Sequence, residues 1–119
     1  DMHLLSYSPL ATGLLTGKYQ NNNIPKKSRK ETTSELGGRI TKRVFKAVDA
    51  YLNIAKKYNI DPVHLALSWT EQRKFMGSVI FGATTQIQLN HIIKGLEVKL
   101  SKNILKEIDE VNKLYPMPF

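Results

Sequence analysis

Residues 4–30 read LLSYSPLATGLLTGKYQNNNIPKKSRK. A short apolar run, Leu4 to Tyr7, stops at Ser8-Pro9, because proline has no N–H to give to a sheet ladder. Two glycines follow at Gly13 and Gly17, and then positive charge gathers at Lys26, Lys27, Arg29 and Lys30. A strand that needed only a turn would use fewer residues. From Leu10 to about Arg39 no period is sustained, so this segment is expected to be a long loop, and loops of that length in a compact domain are functional or disordered.

Downstream the pattern changes. Ile40, Val44, Ala47, Val48, Tyr51, Leu52 and Ala55 recur at helical spacing with lysines between them. Asp61-Pro62 starts a second helix as N-cap and first helical residue, with Ile60 placed to staple onto Leu65 and with Leu65, Ala66 and Trp69 on the buried side. A turn near Met76-Gly77 leads to a second strand, Ser78 to Phe81, ended by Gly82. Thr85 and Gln88 have capping-box spacing for a third helix, whose buried stripe is Leu89, Ile92, Ile93 and Leu96. Ser101 opens a fourth, with Ile104, Leu105, Ile108 and Val111 facing inward. Two strands joined by a helical crossover imply a parallel, right-handed βαβ unit and an α/β fold. Two strands are too few for a complete α/β sheet, so this reading expects a front truncation.

The totals narrow the partners. The 119 residues suit one domain, with 18 basic against 10 acidic side chains, a net charge of +8, and no cysteine. That rules out a disulfide framework and a thiolate metal site, and it favours anionic partners such as phosphates. No apolar run is long enough to span a bilayer. His3, His64 and His91 are scattered without metal-ligand spacing, and His64 and His91 are read as surface residues, so no metal site is expected. No nucleophile–base pair or carboxylate pair is visible. The exposed backbone of the first loop and the helix start at Gly82 to Thr85 together suit a ligand with several phosphates, with Tyr7 as a flat face for a ring. A basic run taken alone is ordinary solvated surface.

The segments YSPLATGLLTGKY (7–19), SR (28–29), ALSW (66–69) and VIFGATTQIQL (79–89) resemble the C-terminal part of aldo-keto reductases, closest in register to the branch of the bacterial Tas-type proteins and the potassium-channel beta subunits. The resemblance covers nearly the whole chain. It implies that residues 1–119 are the C-terminal part of a (β/α)8 TIM barrel, with Leu4 to Tyr7 as strand seven and Ser78 to Phe81 as strand eight. It also implies NADP(H) as cofactor, a small aldehyde or ketone as substrate, and a soluble cytoplasmic protein without nucleic-acid or membrane partners; oligomeric state stays open. By the same resemblance Tyr7 stacks on the nicotinamide, and Ser8, Pro9, Leu10, Ala11, Thr12, Gly13 and Leu14 pass the pyrophosphate with Lys18 nearby. Arg29 meets the adenosine 2′-phosphate, Gly82 and Thr84 hold the same phosphate, and Gln88 contacts the adenosine end. His91 and Ile92 stand where the family places an acidic residue and an asparagine against adenine. The family's catalytic tyrosine, lysine, aspartate and histidine belong to earlier strands, so this segment is expected to carry a cofactor clamp and no catalytic residue. The rival readings are a non-catalytic NADP(H)-binding regulatory subunit, an inactive remnant, and, from the charge alone, a nucleic-acid-binding module.

Overall fold

The computed structural model describes residues 2–119. Strand β1 (Leu4–Tyr7) leads into two 3-10 turns (Ala11–Thr16 and Gln20–Asn22) and a single-turn helix α1 (Arg29–Thr32). Helices α2 (Lys42–Lys57) and α3 (Pro62–Glu71) follow, then strand β2 (Met76–Ile80) and helices α4 (Gln86–Lys94) and α5 (Lys102–Leu114). β1 and β2 pair in parallel, with Leu5 opposite Ser78, Ser6 opposite Val79 and Tyr7 opposite Ile80.

The helices begin where side chains can take up their unpaired N–H groups. The Thr41 hydroxyl accepts from the Val44 N–H at 2.9 Å. Asp61 Oδ1 accepts from the Val63 and His64 N–H groups at 2.8 and 3.3 Å, and Ser101 Oγ accepts from Ile104. Each such cap contributes about 1 kcal/mol. After α2 and its C-cap Tyr58 comes Asn59, whose φ of 52° is the left-handed well that asparagine enters more easily than branched residues. The Ile60 N–H then returns to the Ala55 carbonyl at 2.9 Å.

Two apolar clusters hold these elements together. One joins α2, α3 and α5 through Ile54, Leu65, Ile104 and Ile108, with Ile60 and Trp69 packed at its margin. The other sets Leu14, Tyr19 and Leu36 against Val44 and Val48 of α2. Residues 10–39 are therefore not an open loop. Leu14 and Tyr19 have no exposed surface at all, and the segment is a folded cap on α2. Its period is invisible in sequence because 3-10 turns are short and change direction at Thr12, Gly13 and Asn21, where φ is positive. Gly17 seats it: a Cβ there would stand 3.0 Å from Leu52 Cδ1.

Three expectations need correction. β2 begins at Met76 and ends at Ile80, and the turn lies at Arg73–Phe75, closed by Met76 N–H to the Arg73 carbonyl at 2.9 Å. Gly77 marks the irregularity in the ladder between Leu4 and Leu5, a usual place for a strand glycine. On α3, Leu65, Leu67, Ser68 and Thr70 are buried, while Ala66 and Trp69 are only half-buried. On α4 only Ile92 is buried; Leu89 is half-buried, Ile93 is exposed, as is Leu96 just past the helix end, and Ile87 is 82% exposed. The helical period of α4 is real, and most of its apolar face has nothing against it.

Candidate functional site

Parallel pairing sends the chain out of both strands at the same sheet edge. Tyr7 and Ile80 are ladder partners, so the segment after Tyr7 and the segment after Ile80 leave side by side. Leu5, Tyr7 and Ile80 project to the uncovered face, and Ser6 and Val79 to the helix layer. Tyr7 is 76% exposed, a free ring at the strand tip.

The first segment folds on its own backbone. Ser8, Ala11, Thr12 and Gly13 all have positive φ, between 48° and 96°. The Ser8 carbonyl accepts from the Ala11 N–H at 2.9 Å, and the Leu10 carbonyl accepts from Gly13 and Leu15 at 2.9 and 3.2 Å. Thr12 Oγ1 donates to the Ala11 carbonyl and Thr16 Oγ1 to the Gly13 carbonyl, at 2.6 and 2.7 Å. The Leu14 side chain belongs to the core, which leaves only its backbone for a ligand. A cavity of about 370 Å³ borders this turn, lined among others by Ser6, Pro9, Ala11, Tyr51, Leu65 and Trp69. Its size falls within the range of small-ligand pockets. The Ser6 Oγ and Trp69 Nε1 are buried without partners. Burial pushes the Tyr51 phenol up, and the Asp109 carboxylate adds to the effect, so Tyr51 is protonated at neutral pH.

The cations are grouped more tightly than the sequence suggests. Lys18 folds over Gly13, where a Cβ would meet its Nζ at 3.2 Å, and the same ammonium lies 5.0 Å from the Tyr19 ring centroid. Lys30 approaches Tyr19 at 5.8 Å and Phe45 at 5.3 Å. Tyr19 therefore has two ammonium groups near its ring, a role that its sequence position gave no reason to expect. Arg29 opens α1 and is exposed, as are Lys26 and Lys27.

At the second strand tip, Gly82 is open to solvent, and a Cβ placed there would have no neighbour within 4 Å. Thr85 Oγ1 caps α4 by accepting from the Gln88 N–H at 3.2 Å. Gln88 Oε1 accepts from both the N–H and the hydroxyl of Thr84, at 2.9 and 3.0 Å. Gln88 and Thr84 thus hold each other. The Gln86 and Ile87 N–H groups are left without an intrahelical acceptor, a favourable place for negative charge.

His3 is exposed, but His64 and His91 are half-buried and meet each other. His64 and His91 stack with centroids 4.6 Å apart, and His91 Nε2 lies 3.1 Å from Asp61 Oδ1. The Ile92 side chain, next in the chain, is in the core. Asp61 and His64 share one helix turn, but nothing local links them to His91.

The parts present fit a phosphorylated dinucleotide in kind: an exposed aromatic ring, a backbone-rich turn, grouped cations and a helix N-terminus along one sheet edge. The family model described as "Aldo/keto reductase family" matches residues 1–113. "Protein tas" of Escherichia coli is 38% identical over 117 residues, covering 98% of this chain and 34% of that protein. A putative voltage-gated potassium channel subunit beta of Schizosaccharomyces pombe is 36% identical over 118 residues, covering 93% of this chain and 34% of that protein. A probable voltage-gated potassium channel subunit beta of Oryza sativa is 33% identical over 118 residues, covering 95% of this chain and 36% of that protein. The chain spans about a third of the length of the curated relatives it matches. With the site geometry and these matches in agreement, the chain belongs to the aldo/keto reductase family.

Proposed function

We propose that this chain is the cofactor-holding C-terminal portion of an NADP(H)-dependent aldo-keto reductase, with β1 and β2 as strands seven and eight of a (β/α)8 barrel. The observation that carries the reading is the ladder pairing of Tyr7 with Ile80. It puts the turn after β1 and the helix start after β2 on one edge, the place where α/β barrels bind phosphates. When bound, the cofactor supplies a hydride for reduction of an aldehyde or ketone carbonyl.

The chain's own residues bind and orient. Tyr7 offers its ring face to the nicotinamide. The backbone from Ser8 through Gly13 follows the pyrophosphate, with Leu10 and Leu14 contributing main chain and Lys18 adding charge. Arg29 suits the 2′-phosphate because its planar guanidinium donates in pairs and also stacks. Gly82, Thr84 and the first turn of α4 face the same phosphate, with Gln88 holding Thr84 in position. Proton transfer to the substrate is assigned to residues outside this segment.

In the complete polypeptide, Arg29→Ala should weaken NADPH by about 10- to 100-fold, the size of one charge-assisted hydrogen bond, and leave NADH nearly unchanged. Quenching of protein fluorescence measures both. Equal losses for the two cofactors would remove Arg29 from the 2′-phosphate, and no uptake of either by folded protein would remove the proposal. A parallel titration with duplex DNA at several salt concentrations tests the nucleic-acid reading, since phosphate binding by a basic face falls steeply with salt.

A second reading, a non-catalytic NADP(H)-binding regulatory subunit, draws support from relatives named as potassium channel beta subunits. It predicts cofactor binding without turnover of any carbonyl. Among the described residues no helix is long and apolar enough to cross a membrane, which accords with the cytoplasmic placement that both readings propose.

A further inference from the structure

We propose that Asp61, His64 and His91 form a binding site for a zinc-type divalent cation that clamps the start of α3 to α4. One donor atom from each residue lies within 4.8 Å of the other two. The closest pair, His91 Nε2 and Asp61 Oδ1, is 3.1 Å apart, close to the roughly 3.3 Å between two ligands on a tetrahedral ion with bonds of about 2.0–2.1 Å. An ion seated between them would take the Nε2 lone pair of His91 and an oxygen of Asp61. A neutral His91 ring then carries its proton on Nδ1, and an imidazolium gives one proton to solvent.

The third ligand is already oriented. His64 Nε2 stands 2.7 Å from the His91 carbonyl oxygen. A carbonyl can only accept, so Nε2 carries the hydrogen and Nδ1 presents its lone pair. A ring N–H held by a backbone carbonyl is the usual outer support of a metal-binding histidine. Gly95 makes room for this ring, since a Cβ there would stand only 2.3 Å from His64 Cδ2. Asp61 keeps its capping bonds on Oδ1, and its second oxygen accepts from no described residue. The two imidazoles are stacked at 26°, so an ion shared by both would tilt the His91 ring within the stack while its Nε2 stays beside Asp61. The His91 side chain is 44% exposed and Asp61's is 36% exposed, which leaves room for that tilt and for water in the remaining positions.

Two imidazoles and one carboxylate, without thiolate, select Zn²⁺ or its neighbours in the affinity series over Mg²⁺ and Ca²⁺. The effect follows from the packing. Most of α4's apolar face is uncovered, so a ligand bond through His91 would hold a helix that burial holds only weakly. This inference is independent of the cofactor reading, because none of the three residues is assigned to the dinucleotide.

The test titrates Zn²⁺, against a chromophoric chelator, and Co²⁺, by its visible absorption, into the complete polypeptide freed of metal and of any histidine tag. About one equivalent should bind, with the thermal midpoint rising as Zn²⁺ is added. His64→Gln and His91→Gln should each weaken binding by about 100-fold, at or beyond the upper end of what loss of an outer-shell partner costs. Asp61→Asn should weaken it too while leaving the fold intact, since asparagine caps helices as well as aspartate. His3→Gln, whose ring is not in the cluster, should change nothing. If a histidine variant fails to fold, the ring-nitrogen NMR signals of the unaltered protein decide, because Zn²⁺ should shift those of His64 and His91 and leave His3 in place. The proposal is overturned by absence of stoichiometric uptake, by uptake that survives both histidine changes, or by ring signals that move only at His3.

Discussion

Leu14, Tyr19 and Leu36 are sealed against α2, whereas Leu5, Tyr7 and Ile80 stand open on the far face of the sheet, and Ile87 and Ile93 on α4 and Leu96 just past it stand open too. Both sets are apolar and both sit at the spacing their elements require. The difference lies in what the chain brings to them. The helix layer closes within this chain, because α2, α3, α5 and the cap from residues 10–39 fold on each other. The sheet has two strands with one covered face, and an apolar patch of that kind marks a surface that another surface meets. In the proposed barrel, the open face of β1 and β2 looks into the barrel, with Tyr7 at its rim.

The largest expected effect tests the sealed side. Leu14→Ala should lower unfolding free energy by about 2–5 kcal/mol, as transfer and cavity costs add at a fully enclosed site. Ile93→Ser on open α4 should stay within about 0.5 kcal/mol. Urea unfolding followed by circular dichroism measures both, and equal losses would erase the contrast drawn above. A smaller effect separates the helices themselves. Thr41→Ala should cost about 1 kcal/mol, because α2 anchors both clusters. Thr85→Ala should mainly fray α4, visible as faster hydrogen exchange there with little change in global stability.

The smallest effect lies in the ion network of α2 and α5. Glu107 Oε1 accepts from Lys57 Nζ and from the Tyr58 hydroxyl, each at 2.6 Å. The two donors hold the Glu107 carboxyl below its ordinary range, and Glu107 in turn raises Lys57 and Tyr58. The carboxylate's contribution is present above its unfolded pKa and is lost as pH falls through the lowered folded value. The contributions of Lys57 and Tyr58 are complete below their unfolded values and are lost as pH rises through the raised ones. Glu107→Gln should therefore flatten both the acid and the alkaline flanks of stability against pH, by little, and by less in high salt, because these groups face water.

Much of the fold was legible along the chain. The spacing from Val44 to Ala55, the Asp61-Pro62 start and the Thr85 and Ser101 caps all rest on local rules, and α2 to α5 lie where those rules put them. β1 was legible for the same reason. β2 was misplaced by two residues at its start because Gly77 reads as a turn when its partner strand is out of view. The cap from Ala11 to Leu36 was hidden because its order comes from contacts with α2 and from positive-φ residues, which leave no periodic trace. The site divides in the same way. Tyr7, Arg29 and Gly82 were marked by type and position. The cations gathered around Tyr19 were not, nor was the meeting of His64 with His91.

The amino-acid order alone determined the types of β1, β2 and α2 to α5, the starts of those helices and the grouping of positive charge after Tyr7, since capping, periodicity and proline act over a few residues. Only the tertiary structure decided which apolar faces are covered, that Tyr7 and Ile80 share one edge, and that Asp61, His64 and His91 converge. Those outcomes depend on contacts between residues far apart in the chain, and no local pattern encodes which distant surface a side chain will meet.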